Sequence, residues 1–115
     1  MLIPYQRDYE KIAMGLLSYM PNEKKVKKLQ HTIAQYASDS NWQLYLWKED
    51  AFIGVIGIEE AEDTTYLQHL CVNPSYRDEG VAKRMVQAVE KQNGIILCAT
   101  KSTGDFLESC NKESS

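Results

Sequence analysis

The sequence is short of most features that would point to an unusual environment. Three prolines and six glycines in 115 residues are too few for a collagen-like, low-complexity or linker-rich chain. No apolar run approaches the about 20 residues that a membrane-spanning helix needs. The opening Met1-Leu2-Ile3-Pro4-Tyr5-Gln6-Arg7 is too short and too polar to read as a signal peptide. Positive charge is not in excess either. Thirteen Lys and Arg against sixteen Asp and Glu leave a net charge of −3, which argues against a nucleic-acid partner held by phosphate contacts. The three cysteines, Cys71, Cys98 and Cys110, are an odd number without CxxC spacing, so no disulfide framework is expected. Cys71 and Cys98 stand in apolar runs and read as reduced, buried thiols of a cytoplasmic protein. Neither His31 nor His69 stands at ligand spacing from a second candidate, so no zinc site is expected.

What is there is an ordinary globular composition, 43% hydrophobic and 25% charged. A chain of this size buries about two-thirds of its unfolded surface, so one domain over residues 1–115 is expected. Residues 2–6 suit a short edge strand, because Pro4 cannot donate to a ladder. Ile12, Ala13, Leu16, Leu17 and Met20 fall on one helical stripe, broken at Pro21-Asn22. Val26, Leu29, Ile33, Tyr36 and Ala37 make a second stripe. The other face of that second helix carries Lys24, Lys25, Lys27 and Lys28. This cluster reads as a solvated face, or as a patch that steers an anionic ligand or acidic partner.

Three strands of a meander follow, Trp42–Lys48, Phe52–Ile58 and Thr65–Val72. The second is apolar on both faces and so should be central, and Glu59 to Thr64 read as an acidic turn. A helix over about Gly80–Lys91 buries Val81, Met85 and Val89 and is ended by Asn93-Gly94. A short buried strand, Ile95–Ala99, and a last helix near Thr103–Cys110, with Phe106, Leu107 and Cys110 inward, complete the chain. The expected order is β-α-α-β-β-β-α-β-α, a mixed α/β sandwich whose strands before and after the central helix are parallel.

The chain is organised around the stretch from Leu70 to Val86, which contains Arg77-x-x-Gly80-x-Ala82. A strand feeding a turn at a helix start has a physical use. First-turn N–H groups lack internal partners and the helix dipole is positive there, which together bind phosphate. Gly80 has no Cβ to keep a ligand from the backbone, and Ala82 is nearly as small. Arg77, Lys83 and Arg84 add positive charge in an otherwise acidic chain. The stretch reads as a pyrophosphate cradle.

Val72-x-Pro74-x-x-Arg77-x-x-Gly80-x-Ala82 followed by an amphipathic helix resembles the acetyl-CoA signature of the GNAT N-acetyltransferases, Gln/Arg-x-x-Gly-x-Gly/Ala. The order of elements extends the resemblance over most of the chain. The segments Glu10–Glu23 and Leu46–Asp50 are similar to the small RibT-type members encoded with riboflavin biosynthesis genes in bacilli. The resemblance implies a GNAT-like mixed sheet and acetyl-CoA as cofactor. It implies direct transfer, in a ternary complex, to a primary amine of a small-molecule or protein acceptor. Backbone groups of Leu70, Cys71 and Val72 would then meet the pantetheine in a gap between two splayed strands. Arg77, Asp78, Glu79, Gly80, Val81, Ala82 and Lys83 would wrap the pyrophosphate.

Acetyl transfer to nitrogen needs a neutral amine, a donor aimed at the developing oxyanion and a proton for the leaving thiolate. The family's usual oxyanion donor corresponds to a backbone N–H near Cys71–Val72. Candidate bases are Glu59 or Glu60 at the end of the central strand, and His69, whose side chain titrates closest to neutrality. Each has a plainer reading. Glu59 and Glu60 open a turn that also holds Glu62 and Asp63, and His69 alternates with Leu70, which can turn it from the cleft. Cys71 as a nucleophile fits the family poorly, because its transfer is direct.

Two departures from the family stand out. Leu107 occupies the place of the tyrosine acid in the last helix, and the two-strand hairpin that follows in relatives is expected to be missing. An edge left open by that hairpin would invite a second copy of the chain. These departures keep other readings in play: a CoA-binding regulatory or structural module with little catalysis, or a plain interaction domain.

Overall fold

The computed structural model describes residues 1–19, 25–76 and 80–99. Among these residues, five strands form one sheet in the order β1-β2-β3-β4-β5. They are β1 (Leu2–Pro4), β2 (Trp42–Lys48), β3 (Phe52–Glu60), β4 (Thr65–Val72) and β5 (Leu97–Ala99). Helices α1 (Glu10–Leu17), α2 (Val26–Ser38) and α3 (Val81–Asn93) flank it, with 3-10 turns at Arg7–Tyr9 and Pro74–Tyr76. β1 to β4 pair antiparallel, and β4 pairs β5 in parallel. A parallel neighbour requires a crossover, which α3 supplies. This is the expected mixed α/β order as far as the described residues reach. The helix expected near Thr103–Cys110, with Phe106, Leu107 and Cys110, lies outside them, as do Met20, the Pro21-Asn22 break and Lys24.

Alternation along the strands divides the core in two. Leu44, Leu46 and Val55 turn to α1 and α2, where they meet Ala13, Leu16, Leu17, Leu29, Ile33 and Tyr36. Tyr45, Ile56, Ile58 and Leu67 turn to α3, where they meet Val81, Met85, Val86 and Val89. β3 serves both layers, and every residue from Ile53 to Ile58 is buried, as its unbroken apolar run foretold.

Several details differ from the sequence reading. Ile12 is exposed because α1 buries Ala13, Leu16 and Leu17 instead. Val26 and Ala37 are exposed because α2 presents Leu29, Thr32, Ile33 and Tyr36 to the sheet while Val26 sits at its first residue. β5 begins at Leu97 rather than Ile95, and Ile96 is 80% exposed. Leu97 joins the core that α3 covers, whereas Cys98 is exposed rather than buried. Glu59 and Glu60 are the last residues of β3, not part of the turn. The turn is closed by the Ala61 N–H donating to the Thr64 carbonyl at 2.8 Å.

β4 is irregular in the middle. Gly57 faces His69, yet the next residue, Ile58, faces Leu67. Gln68 is therefore an extra residue, a β-bulge that changes which face the strand presents. Leu67 packs on the α3 side, whereas His69 meets Tyr36 of α2.

Candidate active site

β4 leads out through a tight turn. Asn73 donates its N–H to the Ile53 carbonyl at 2.7 Å, and its own carbonyl accepts the Tyr76 N–H at 2.8 Å. Its side-chain Oδ1 accepts the Ser75 N–H at 2.9 Å, a local bond that asparagine offers readily. Gly80 then caps α3 in the left-handed region, at φ 72. A Cβ built there would meet nothing within 4 Å, so the space over the first turn is open. Val81 is buried and anchors the helix start, while Ala82 and Lys83 are half-buried. Arg84 is exposed and reaches Glu49 at 3.6 Å, a solvated pair of small energetic weight. The open left-handed glycine at the helix start suits a pyrophosphate. Arg77, Asp78 and Glu79 lie outside the described residues.

Beside this start, Leu70 and Val72 pack into the α3-side core. Cys71 points the other way and is buried, with Sγ 4.0 Å from the Leu17 carbonyl. It is a packed core thiol. The β4–β5 ladder covers Thr65–Leu67 against Leu97–Ala99, so the described part of β5 ends abreast of Leu67 while β4 runs on to Val72. Glu90 of α3 accepts the Leu97 N–H at 2.9 Å and holds β5 to the helix.

The candidate bases are placed differently from one another. Glu59 is half-buried and accepts a 2.8 Å bond from Nε2 of Gln68, the bulged residue. Glu60 is exposed, and its backbone N–H donates to the Asn41 carbonyl. His69 is buried, with Nδ1 at 2.5 Å from the Tyr36 hydroxyl. The Tyr36 ring meets His69 edge-on at 5.5 Å and Trp42 at 5.3 Å. The sequence reading used Tyr36 only as an apolar member of a helical stripe. Two signals could have found it: a buried tyrosine needs a partner for its hydroxyl, and a glycine inside a strand, here Gly57, marks a close approach.

Tyr36 also lines a concavity of about 510 Å³ between α2 and the segment before α1, with Tyr5, Arg7, Glu10, Gln30 and Ile33 around it. Tyr5 donates its N–H to the Leu44 carbonyl, Leu44 faces Gly57, and Gly57 faces His69. The concavity and His69 thus belong to one row that starts at Tyr5, just after β1, and crosses β2, β3 and β4, with Tyr36 above it. Burial raises the Tyr5 phenol above its ordinary range, and the Glu10 carboxylate adds to this against Arg7. Among the described residues no group of His, Cys, Asp and Glu could hold a metal ion, and no helix is long and apolar enough to cross a membrane.

Residues 9–99 match the acetyltransferase (GNAT) domain family. The chain belongs to the GNAT acetyltransferases. An uncharacterized N-acetyltransferase in the lysA 3′ region of Bacillus methanolicus is 44% identical over 119 residues, spanning 96% of this chain and 94% of that protein. Its description places it by lysA, and so lends nothing to the narrower riboflavin-operon likeness. Among solved structures, the aminoglycoside acetyltransferase AAC(6′)-Iy, in complex with the bisubstrate analogue CoA-S-monomethyl-acetylneamine, superposes with a TM-score of 0.77. It is 14% identical, over 99% of this chain and 87% of that one. AAC(6′)-Ih from Acinetobacter baumannii gives 0.72 at 17% identity, over 99% and 87%. At these identities the likeness shows the GNAT fold, and acetyl-CoA is the cofactor that goes with the family.

Proposed function

We propose that this GNAT chain moves the acetyl group of acetyl-CoA to a primary amine of a small-molecule or protein acceptor, by direct attack in a ternary complex. The observation that carries this reading is the open, left-handed Gly80 at the start of α3. Main-chain N–H groups of Gly80, Val81, Ala82 and Lys83 would hold the pyrophosphate, with Arg77, Asp78 and Glu79 completing the loop. Backbone groups of Leu70, Cys71 and Val72 would run beside the pantetheine. Bound there, the cofactor supplies an activated thioester. A main-chain N–H near Cys71–Val72 would face the developing oxyanion, where a single donor is worth about 2.7–4 kcal/mol in well-measured enzymes.

The base is Glu59 or His69, both on strands that border the row beneath Tyr36. The concavity beside that row holds Glu10 and several hydrogen-bonding groups, which favours a cationic, polar amine. The aminoglycoside enzymes of like fold support the same acceptor class. The riboflavin-operon likeness is one of genomic company only, and no flavin substrate is drawn from it. The reading includes a homodimer, which a monomeric mass at micromolar concentration would exclude.

Thermal unfolding with acetyl-CoA tests the cofactor. Ligand at about 100 times its dissociation constant stabilises the fold by about 2.7 kcal/mol, a shift of several degrees for a domain of this size. No shift with ligand in clear excess overturns the reading. A shift without thiol release over an amine panel leaves the regulatory or structural CoA-binding module instead.

A further inference from the structure

Tyr36 touches both the concavity and a candidate base. Its hydroxyl is 2.5 Å from His69 Nδ1, and it lines the concavity whereas His69 does not. Three separate features hold this arrangement. The bulge at Gln68 brings His69 to the α2 face. Position 57, which faces His69, is glycine, and any Cβ there would collide with the Tyr36 hydroxyl. The Tyr36 ring is fixed edge-on by Trp42. Tyr36 is 7% exposed and His69 is 9% exposed, so their bond is shielded from water, where a polar pair is strengthened and its loss is costly.

Resting on the acetyl-transfer reading above, we propose that Tyr36 is the group that takes the acceptor's proton, with His69 behind it as the proton sink. A primary amine seated in the concavity arrives as an ammonium. One N–H proton passes to Tyr36 Oη while the phenol's own proton passes to His69 Nδ1, leaving a neutral amine, a neutral tyrosine and an imidazolium. The amine lone pair then forms the N–C bond at the thioester carbonyl and the C–S bond breaks. The thiolate takes up one proton from solvent, and the amide nitrogen sheds its remaining extra proton to solvent. The His69 imidazolium then loses its proton to solvent, for a net release of one proton per turnover. This assigns His69 an indirect role, in place of direct contact with the acceptor. The other ionisable groups near the pair are Cys71 on the same face of β4, Glu59 through Gln68, and Tyr5, Arg7 and Glu10 around the concavity.

The first readout needs no cofactor. Imidazole ¹⁵N spectra of the whole chain resolve only His31 and His69, and an H31N variant separates them. Wild-type His69 is expected to carry its neutral-state proton on Nε2 with Nδ1 as acceptor. Y36F, which keeps the ring, is expected to lose that tautomer bias. An unchanged His69 spectrum in Y36F overturns the proposal. The second readout is transfer from acetyl-CoA to neamine and to spermidine as probe amines. Y36F should lower kcat by about 10²-fold, leave the KM for acetyl-CoA within about twofold, and change the pH profile. H69Q should lose as much, and Y36F/H69Q no more than either. An active Y36F with an unchanged pH profile overturns the role of Tyr36 alone. A wild type that binds acetyl-CoA and acetylates neither probe counts against the acetyl-transfer reading itself, and with it the proton transfer.

Discussion

Tyr36 lies across Gly57, and its hydroxyl fills the place where a side chain at position 57 would begin. Neighbouring positions on β3 carry valine and isoleucine, so nothing in strand propensity asks for glycine there. G57A therefore has to push Tyr36, the Trp42 ring against it, or the whole of α2 away from the sheet. Overpacking of this kind costs about 1–3 kcal/mol. Thermal unfolding is expected to show a Tm lower by several degrees, together with loss of the Tyr36–His69 bond in imidazole spectra. A G57A protein as stable as wild type would mean that Tyr36 leaves the sheet freely.

Gly80 and Gly94 bracket α3, both in the left-handed region, at φ 72 and φ 63, and neither would place a Cβ against a neighbour. Alanine at either position should cost only the backbone penalty of about 1–2 kcal/mol. The two ends differ in what they do for a ligand. G80E is expected to abolish stabilisation by acetyl-CoA in thermal unfolding, whereas G94A keeps it. Equal loss from both would place the cofactor elsewhere.

The thiols separate by exposure. In a C110S background, Cys98 should react with an aromatic disulfide reagent within the mixing phase, and Cys71 only as fast as the protein opens. C98S should remove the fast phase and leave the slow one. A fast phase that survives C98S would show that Cys71 is accessible.

Tyr5 gives a test against pH. Its phenol is held above the ordinary range, chiefly by burial and then by the Glu10 carboxylate. Folding thus favours the protonated phenol. Its contribution is complete below the unfolded value of about 10 and is lost as pH rises through the higher folded value. Wild type should fall in stability faster than Y5F above about pH 10. In the phenol difference spectrum against Y5F, E10Q should bring the Tyr5 titration down. A titration unmoved by E10Q would remove Glu10 from the surroundings of Tyr5.

The order of elements was legible because each carries its own period. Phe52–Ile58 is apolar without a break and takes the centre of the sheet, and Gly80 sits between a strand and an amphipathic helix, as it does in the fold. What failed was local amphipathicity at the ends of elements. Val26 repeats the stripe of α2 yet stands at its first residue, and Ile96 and Cys98 belong to an apolar run from which Leu97 enters the core under α3. The Tyr36–His69 pair was illegible for a different reason. It joins residues 33 positions apart, and it depends on a bulge at Gln68 that no glycine or proline announces.

That bulge divides β4 into two halves with different obligations. Thr65 to Leu67 keep step with β5 and with the layer beneath α3, while His69 to Val72 keep step with β3 and the side where the cofactor and acceptor would meet. Deleting Gln68 would make Leu67 and His69 neighbours, and neighbours on a strand face opposite ways, as these two already do. Leu67 would keep its core and His69 its Tyr36, while the pairing with Ile58 and Gly57 would run on without a break. The deletion would remove the local bend and the bond from Gln68 to Glu59, and leave both faces of the strand as they are.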